Sequence, residues 1–166
     1  FYEMARAIER KYTLNPSREG LEKIIGLFDQ ARQADPGCAL AYLGLGDAYQ
    51  HRYVFEGRGP EALQLMKENY ERAYGMDPDR AETNVGMAWV PYFDGDMDRT
   101  YAFLKKALEL DPDSLHVLTD VGAFLASVGF MERSSEYFSR VIRSGGGTAD
   151  MYLLRGKGFE HMGLYE

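Results

Sequence analysis

Ala31-Arg32-Gln33-Ala34-Asp35-Pro36, Ala73-Tyr74-Gly75-Met76-Asp77-Pro78 and Ala107-Leu108-Glu109-Leu110-Asp111-Pro112 are three versions of one six-residue motif. An alanine stands five residues before each proline. Each motif closes a helix-like run, and another helix-like run follows it. Pro36 and Pro78 are 42 positions apart, Pro78 and Pro112 are 34 apart. A period of about 34 residues that holds two helical patterns marks a helical repeat array. Such an array builds a surface, so the sequence points to binding.

The chain has 166 residues, enough for one compact domain or a short solenoid. Its hydrophobic content of 45% and charged content of 27% are those of an ordinary globular chain. A net charge of −7 opposes binding to nucleic acid or to anionic membranes, both of which need clustered Lys and Arg. The densest basic cluster, Arg52 and Arg58, has Glu56 and Glu61 around it. Cys38 is the only cysteine, which excludes an internal disulfide. It is expected to be a small buried or half-buried residue, a reactive thiol being the alternative. No apolar run approaches the roughly 18 residues of a membrane helix. The chain opens on Phe1 and stops at Glu166 in mid-pattern. A cytoplasmic location is expected, and because the chain reads as a fragment of a longer one, whose targeting segment can lie outside it, a periplasmic location stays open.

The prolines divide the chain into units of 1–38, 39–80, 81–114 and 115–148, with a half unit at 149–166. In the third unit the first helix is expected over Ala81 to Phe93 and the second over Met97 to Leu110. Asp79 is expected to cap the first helix with Glu82 as its capping-box partner. Gly95 marks the turn, with Asp96 capping the second helix. The fourth unit closes on Ser144-Gly145-Gly146-Gly147 in place of Asp-Pro, and glycine ends a helix readily. The second unit is eight residues longer than 34. Its excess is placed around Tyr53 to Pro60, with Pro60 in the first turn of a helix and a longer first helix before it. That insertion is either a binding loop or a tolerated surface loop. No alternation of apolar and polar residues signals a strand.

With the units aligned, the chain resembles the tetratricopeptide repeat family. That pattern wants an aromatic, Leu-Gly and Tyr in the first helix, then Ala, aromatic, Ala and Pro. Tyr42, Leu45-Gly46, Tyr49, Tyr70, Ala73 and Pro78 match it best. Gly95, Leu104, Ala107 and Pro112 match in the third unit, from which Asn84 and Pro91 depart. Gly122, Gly129 and Phe138 match in the fourth, and Tyr152, Gly156, Phe159 and Gly163 in the half unit. The resemblance implies an all-α fold, a right-handed α-solenoid of antiparallel helix pairs. Small residues such as Gly46 and Gly122 would let paired helices approach, and Tyr49, Tyr70 and Phe138 would fill the space between pairs.

In such a solenoid the first helices line a concave groove. Carried onto this chain, the inward positions include Leu43, Asp47 and Gln50 in the second unit. They include Glu82, Val85, Trp89, Tyr92 and Phe93 in the third, His116 and Thr119 in the fourth, and Lys157 in the half unit. Trp89, Tyr92 and Phe93 either anchor a peptide or partner helix or pack on a neighbouring unit or the 53–60 loop. Pro91 is expected to kink the helix or end it early, which would re-aim Tyr92 and Phe93. Some members clamp a peptide carboxylate with Lys, Asn and Arg. Leu43, Gly44, Asp47, Glu82 and Gly86 stand at those positions here, so no such clamp is expected. The acids Asp47 and Glu82 favour a basic or neutral ligand.

No catalytic group, metal site or cofactor is expected. His51, His116 and His161 are too far apart in the repeat frame to share a metal. Ser127, Ser134 and Ser135 have no His-acid pair beside them. Gly145-Gly146-Gly147-Thr148 lacks the lysine of a phosphate loop, and Asp94-Gly95-Asp96-Met97-Asp98 lacks the distal glutamate of a calcium loop. The expected function is a protein–protein interaction scaffold that binds a peptide or protein, basic or apolar, in the concave groove. The alternatives are self-association through the exposed terminal helix (Tyr152, Phe159) and a regulatory segment of a larger signalling protein or enzyme.

Overall fold

The computed structural model describes residues 1–5, 17–55, 57, 59–146 and 152. Seven helices are described in full: α1 (Arg18–Ala34), α2 (Ala39–Phe55), α3 (Pro60–Met76), α4 (Ala81–Phe93), α5 (Met97–Leu110), α6 (Leu115–Ser127) and α7 (Met131–Arg143). Residues 2–5 are also helical, and no strand occurs among the described residues. The bounds of α4 and α5 are those expected. At 17 residues, α2 is longer than the 13 of α4 and α6, also as expected.

Each Asp-Pro pair ends a helix in the same way. A proline ring crowds the preceding residue out of the α region. Asp35, Asp77 and Asp111 accordingly have φ of −140°, −143° and −146°. Each gives its N–H to the alanine four residues back, Ala31, Ala73 or Ala107. The carboxylates of Asp35 and Asp111 then accept the N–H of Gly37 at 3.0 Å and of Asp113 at 3.2 Å, which bends the chain toward the next helix.

The turns within pairs use glycine instead. Gly95 and Gly129 have φ of +80° and +89°, a region open to glycine. Gly95 donates to the Tyr92 carbonyl at 3.0 Å and Asp96 to Pro91 at 2.9 Å. Gly129 donates to Ala126 at 3.1 Å and Phe130 to Leu125 at 2.8 Å. Both are two-bond Schellman caps. Pro91 therefore does not end its helix early, since α4 and α6 are equally long. It stands three places from the end of α4, where its carbonyl serves the cap and its missing N–H removes one bond, to Met87.

Asp96 caps α5 as expected, accepting the Arg99 N–H at 3.1 Å. Asp79 does not cap α4. Arg80 precedes that helix without a side-chain cap bond. The Asp79 carboxylate is turned toward Lys106 of α5 at 3.5 Å, and Glu82 lies 3.9 Å from Arg80. The entering turn is held instead by the Thr83 hydroxyl, which lies 2.9 Å from the Arg80 carbonyl, and by the Asn84 amide, which donates to the Pro78 carbonyl at 2.8 Å.

First helices α2, α4 and α6 pack on their partners α3, α5 and α7. Each also packs on the second helix before it, and successive first helices touch. The contact that sets these distances is a ring lying on a glycine. A methyl at Gly46 would sit 2.4 Å from the Tyr70 ring, one at Gly44 2.4 Å from Phe28, and one at Gly122 2.8 Å from Phe138. All three rings are buried.

A second tie recurs with the period of the repeat. Lys106 of α5 donates to the Pro78 carbonyl at 2.9 Å and reaches Asp79. Thirty-four residues on, Arg140 of α7 donates to the Pro112 carbonyl at 2.7 Å and to the Asp113 carboxylate at 2.9 Å. A cation on α5 and another on α7 thus clasp the turn that enters their own pair.

Gly46→Ala tests the ring contact. Alanine gains roughly 1 kcal/mol of helix propensity over glycine, whereas overpacking a full core costs about 1–3 kcal/mol. With Tyr70 only 1% exposed the ring has nowhere to go, so the clash wins. Chemical denaturation should show Gly46→Ala destabilised. Gly26→Ala should be neutral or stabilised, because a methyl there meets nothing within 4 Å. Equal effects would contradict this account.

Candidate functional site

The expected groove residues fall into three groups. Leu43 and Val85 are core residues, 4% and 0% exposed. Asp47 and Gln50 are half-buried and meet at the Tyr70 phenol, at 3.0 Å and 2.8 Å. A phenol has one proton. It serves the Asp47 carboxylate, and the Gln50 amide completes the set when its NH2 is turned to the phenol oxygen. These two side chains of α2 therefore anchor α3.

Trp89, Tyr92 and Phe93 form the second group. Trp89 is 7% exposed, and Tyr92 and Phe93 are half-buried. Trp89 meets Tyr92 edge to face at 5.4 Å and Phe124 of α6 at 6.2 Å. Tyr92 meets Phe124 at 5.4 Å, and Phe93 meets Tyr53 of α2 at 5.2 Å. The cluster therefore staples three successive first helices. Such pairs contribute about 0.5–1.5 kcal/mol each beyond their buried area.

Glu82, His116 and Thr119 make the third group, all half-exposed. His116 Nε2 lies 3.3 Å from Asp120 one turn along α6, and the Thr119 hydroxyl donates to the Leu115 carbonyl at 2.7 Å. Lys157 and Phe159 lie outside the described residues, and Tyr152 is exposed.

Burial pushes the His51 imidazole below its ordinary pKa, and the nearby Asp47 carboxylate opposes this only in part. Ser134 and Ser135 are buried and bonded to the Gly122 and Glu132 carbonyls at 2.8 Å and 2.6 Å. No group of three His, Cys, Asp or Glu among the described residues could hold a metal ion. No described helix is long and apolar enough to cross a membrane.

Sequence reasoning did not find a cleft on the second-helix side. It has a volume of about 830 Å³ and lies between α1 and α3, with Tyr42, Leu45 and Tyr49 of α2 as its floor. Asp29 and Arg32 line one side, and Asn69, Glu71 and Arg72 the other. Burial pushes the Tyr49 phenol pKa up, so that phenol stays uncharged. A smaller cleft of about 300 Å³ lies between α5 and α7 over Val121 and Leu125 of α6. The signal in the sequence was the glycine at position 37, where later units have Asp79 and Asp113.

Two measurements check this placement. Trp89 is the only tryptophan, so its fluorescence should be blue-shifted and resist acrylamide quenching. A red, readily quenched signal would put the ring in solvent. His51 is held neutral by burial, so the unfolded chain takes up its proton first, near pH ~6.5. Its share of stability is present above that pH and is lost as pH falls through it. His51→Gln should therefore lose less stability than the parent between neutral pH and pH ~5. Parallel curves would refute this.

No protein-family model matches the chain, and no curated protein matches it by sequence. Solved structures do match. A thermophilic TPR protein of Thermus thermophilus superposes with a TM-score of 0.61 at 18% identity, over 95% of this chain and 79% of that one. PilF of Pseudomonas aeruginosa gives 0.58 at 19% identity, over 99% and 72%. MamA gives 0.51 at 18% identity, over 89% and 81%. With its paired helices, Asp-Pro boundaries and ring-on-glycine contacts, the chain is a tetratricopeptide-type helical repeat protein in fold.

Proposed function

We propose that this chain is a non-catalytic scaffold that holds a peptide or partner protein along the side formed by α2, α4 and α6. The supporting observation is that the first helices stack in direct contact, so their half-exposed residues join into one strip. That strip carries Glu82, Tyr92 and Phe93 of α4 and His116, Thr119 and Asp120 of α6. Its rings are fixed from below by Trp89 and Phe124. A pre-ordered aromatic surface binds with little loss of side-chain entropy. Its acids favour a basic or neutral partner, in keeping with a net charge of −7. Partners that are nucleic acids or anionic membranes are disfavoured for the same reason.

A photo-crosslinking amino acid placed at Thr119 or at Lys105 tests the assignment in the cell of origin. Lys105 is exposed on α5. The Thr119 position should yield a discrete crosslinked partner that disappears with Tyr92→Ala. Crosslinking from Lys105 alone, or from both positions alike, would remove the groove as the binding side.

A further inference from the structure

The boundaries between successive second helices are filled differently. Between α3 and α5, Tyr74 and Phe103 meet edge to face at 5.4 Å, and Lys106 clasps Pro78 and Asp79. The matching positions between α1 and α3 are set by Tyr70, which lies on Gly46 as Phe138 lies on Gly122. Arg72 is two residues beyond Tyr70, as Arg140 is beyond Phe138 and Lys106 beyond Leu104. In this frame Arg32 and Asn69 replace the ring pair, Arg72 replaces the lysine, and Gly37 replaces Asp79.

These replacements open the boundary. Arg32 turns to Asp29 on its own helix at 2.9 Å and, more weakly, to the Tyr42 phenol. Gly37 offers no carboxylate. Among the described residues Arg72 makes no hydrogen bond or ion pair, and its guanidinium lies 5.9 Å over the Tyr42 ring. What remains is the cleft of about 830 Å³ over Tyr42, Leu45 and Tyr49.

We propose that this cleft docks a partner peptide segment in which an aromatic side chain stands beside a single carboxylate. The closed boundary shows what such a site holds. An aromatic ring packed on Tyr42 and Tyr49 makes up for the missing Tyr74–Phe103 pair, and the carboxylate takes the part of Asp79 on the cation. An arginine there holds a carboxylate through two parallel N–H groups. The rim limits the charge of the segment. Glu71 lines it, and so does Glu68, whose carboxylate accepts from Gln64 at 2.8 Å. A run of acids would be repelled, while one carboxylate fits. This site lies on the second-helix side and stands independently of the groove reading above.

Random dodecapeptides displayed on phage are panned on the whole chain, and a selected peptide is titrated by fluorescence anisotropy. Enriched sequences should place Phe, Tyr or Trp within two positions of one Asp or Glu. Arg72→Glu should weaken binding by about tenfold or more, equivalent to roughly 1.4 kcal/mol. Gly37→Asp offers Arg72 an internal carboxylate and should weaken binding several-fold. Lys106→Ala, at the closed boundary, should leave it unchanged. Amide shifts on titration should centre on Tyr42 and Tyr49. Failure to enrich any peptide overturns the proposal, as does enrichment without a carboxylate or indifference to Arg72→Glu. Shifts centred on Glu82 and Thr119 would overturn it in favour of the groove. An Arg72-dependent dimer in sedimentation would overturn it by making a second copy the occupant.

Discussion

The Tyr70 ring lies against Gly46 of its own pair and Gly86 of the next, where a methyl would come within 2.4 Å and 2.8 Å of ring carbons. One side chain on α3 therefore sets the distance to both α2 and α4. Phe28 of α1 sets the distance to α2 through Gly44, and Phe138 of α7 the distance to α6 through Gly122. Where the ring is replaced by Leu104, the facing repeat positions hold Ala88 and Asp120 instead of glycine. A smaller side chain on the second helix thus goes with larger residues at the facing positions, in keeping with a close-packed interior. A helix pair cannot bury its apolar face alone, so this contact turns separate pairs into a stack.

The same ring draws polar residues out of the groove. Its hydroxyl is held by Asp47 and Gln50, so part of what looks like a binding face is the wet end of a core contact. Trp89 belongs to the interior for a related reason. Successive first helices are close enough for its ring to reach Phe124 of α6. The half-exposed strip that is left lies over this aromatic layer and is stiffened by it.

The helix pairs and their boundaries were legible because each rests on local chemistry, whereas the rings expected between pairs differ in place, since Tyr70 and Phe138 lie on glycines of their own pairs and Tyr49 lines a cleft. A proline fixes the residue before it, and a glycine at positive φ fixes a turn. The small residue and the ring occur at constant places in the period. The fate of Asp79 was not legible. A capping role depends on one helix, whereas its actual partner, Lys106, is 27 residues away on another. Pro91 was legible as a departure but not in its effect, which depends on standing close to a Schellman cap. The groove residues were legible as positions on a helix but not as exposed or buried. Burial is decided by the neighbouring helix, as Leu43 and Val85 show.

A repeat protein gives each boundary the same geometry, so differences between boundaries can be read against one another. The ring pair between α3 and α5 is worth roughly 0.5–1.5 kcal/mol beyond its buried area. The clasp at a partly exposed site adds at most about 1 kcal/mol. Neither is present between α1 and α3, although the Asp-Pro turn and the Phe28 contact hold that boundary in the same register. Stability in such arrays is close to a sum over neighbouring units. The α1 boundary is therefore a place where a ligand can supply a ring contact and a clasp that the chain itself leaves out.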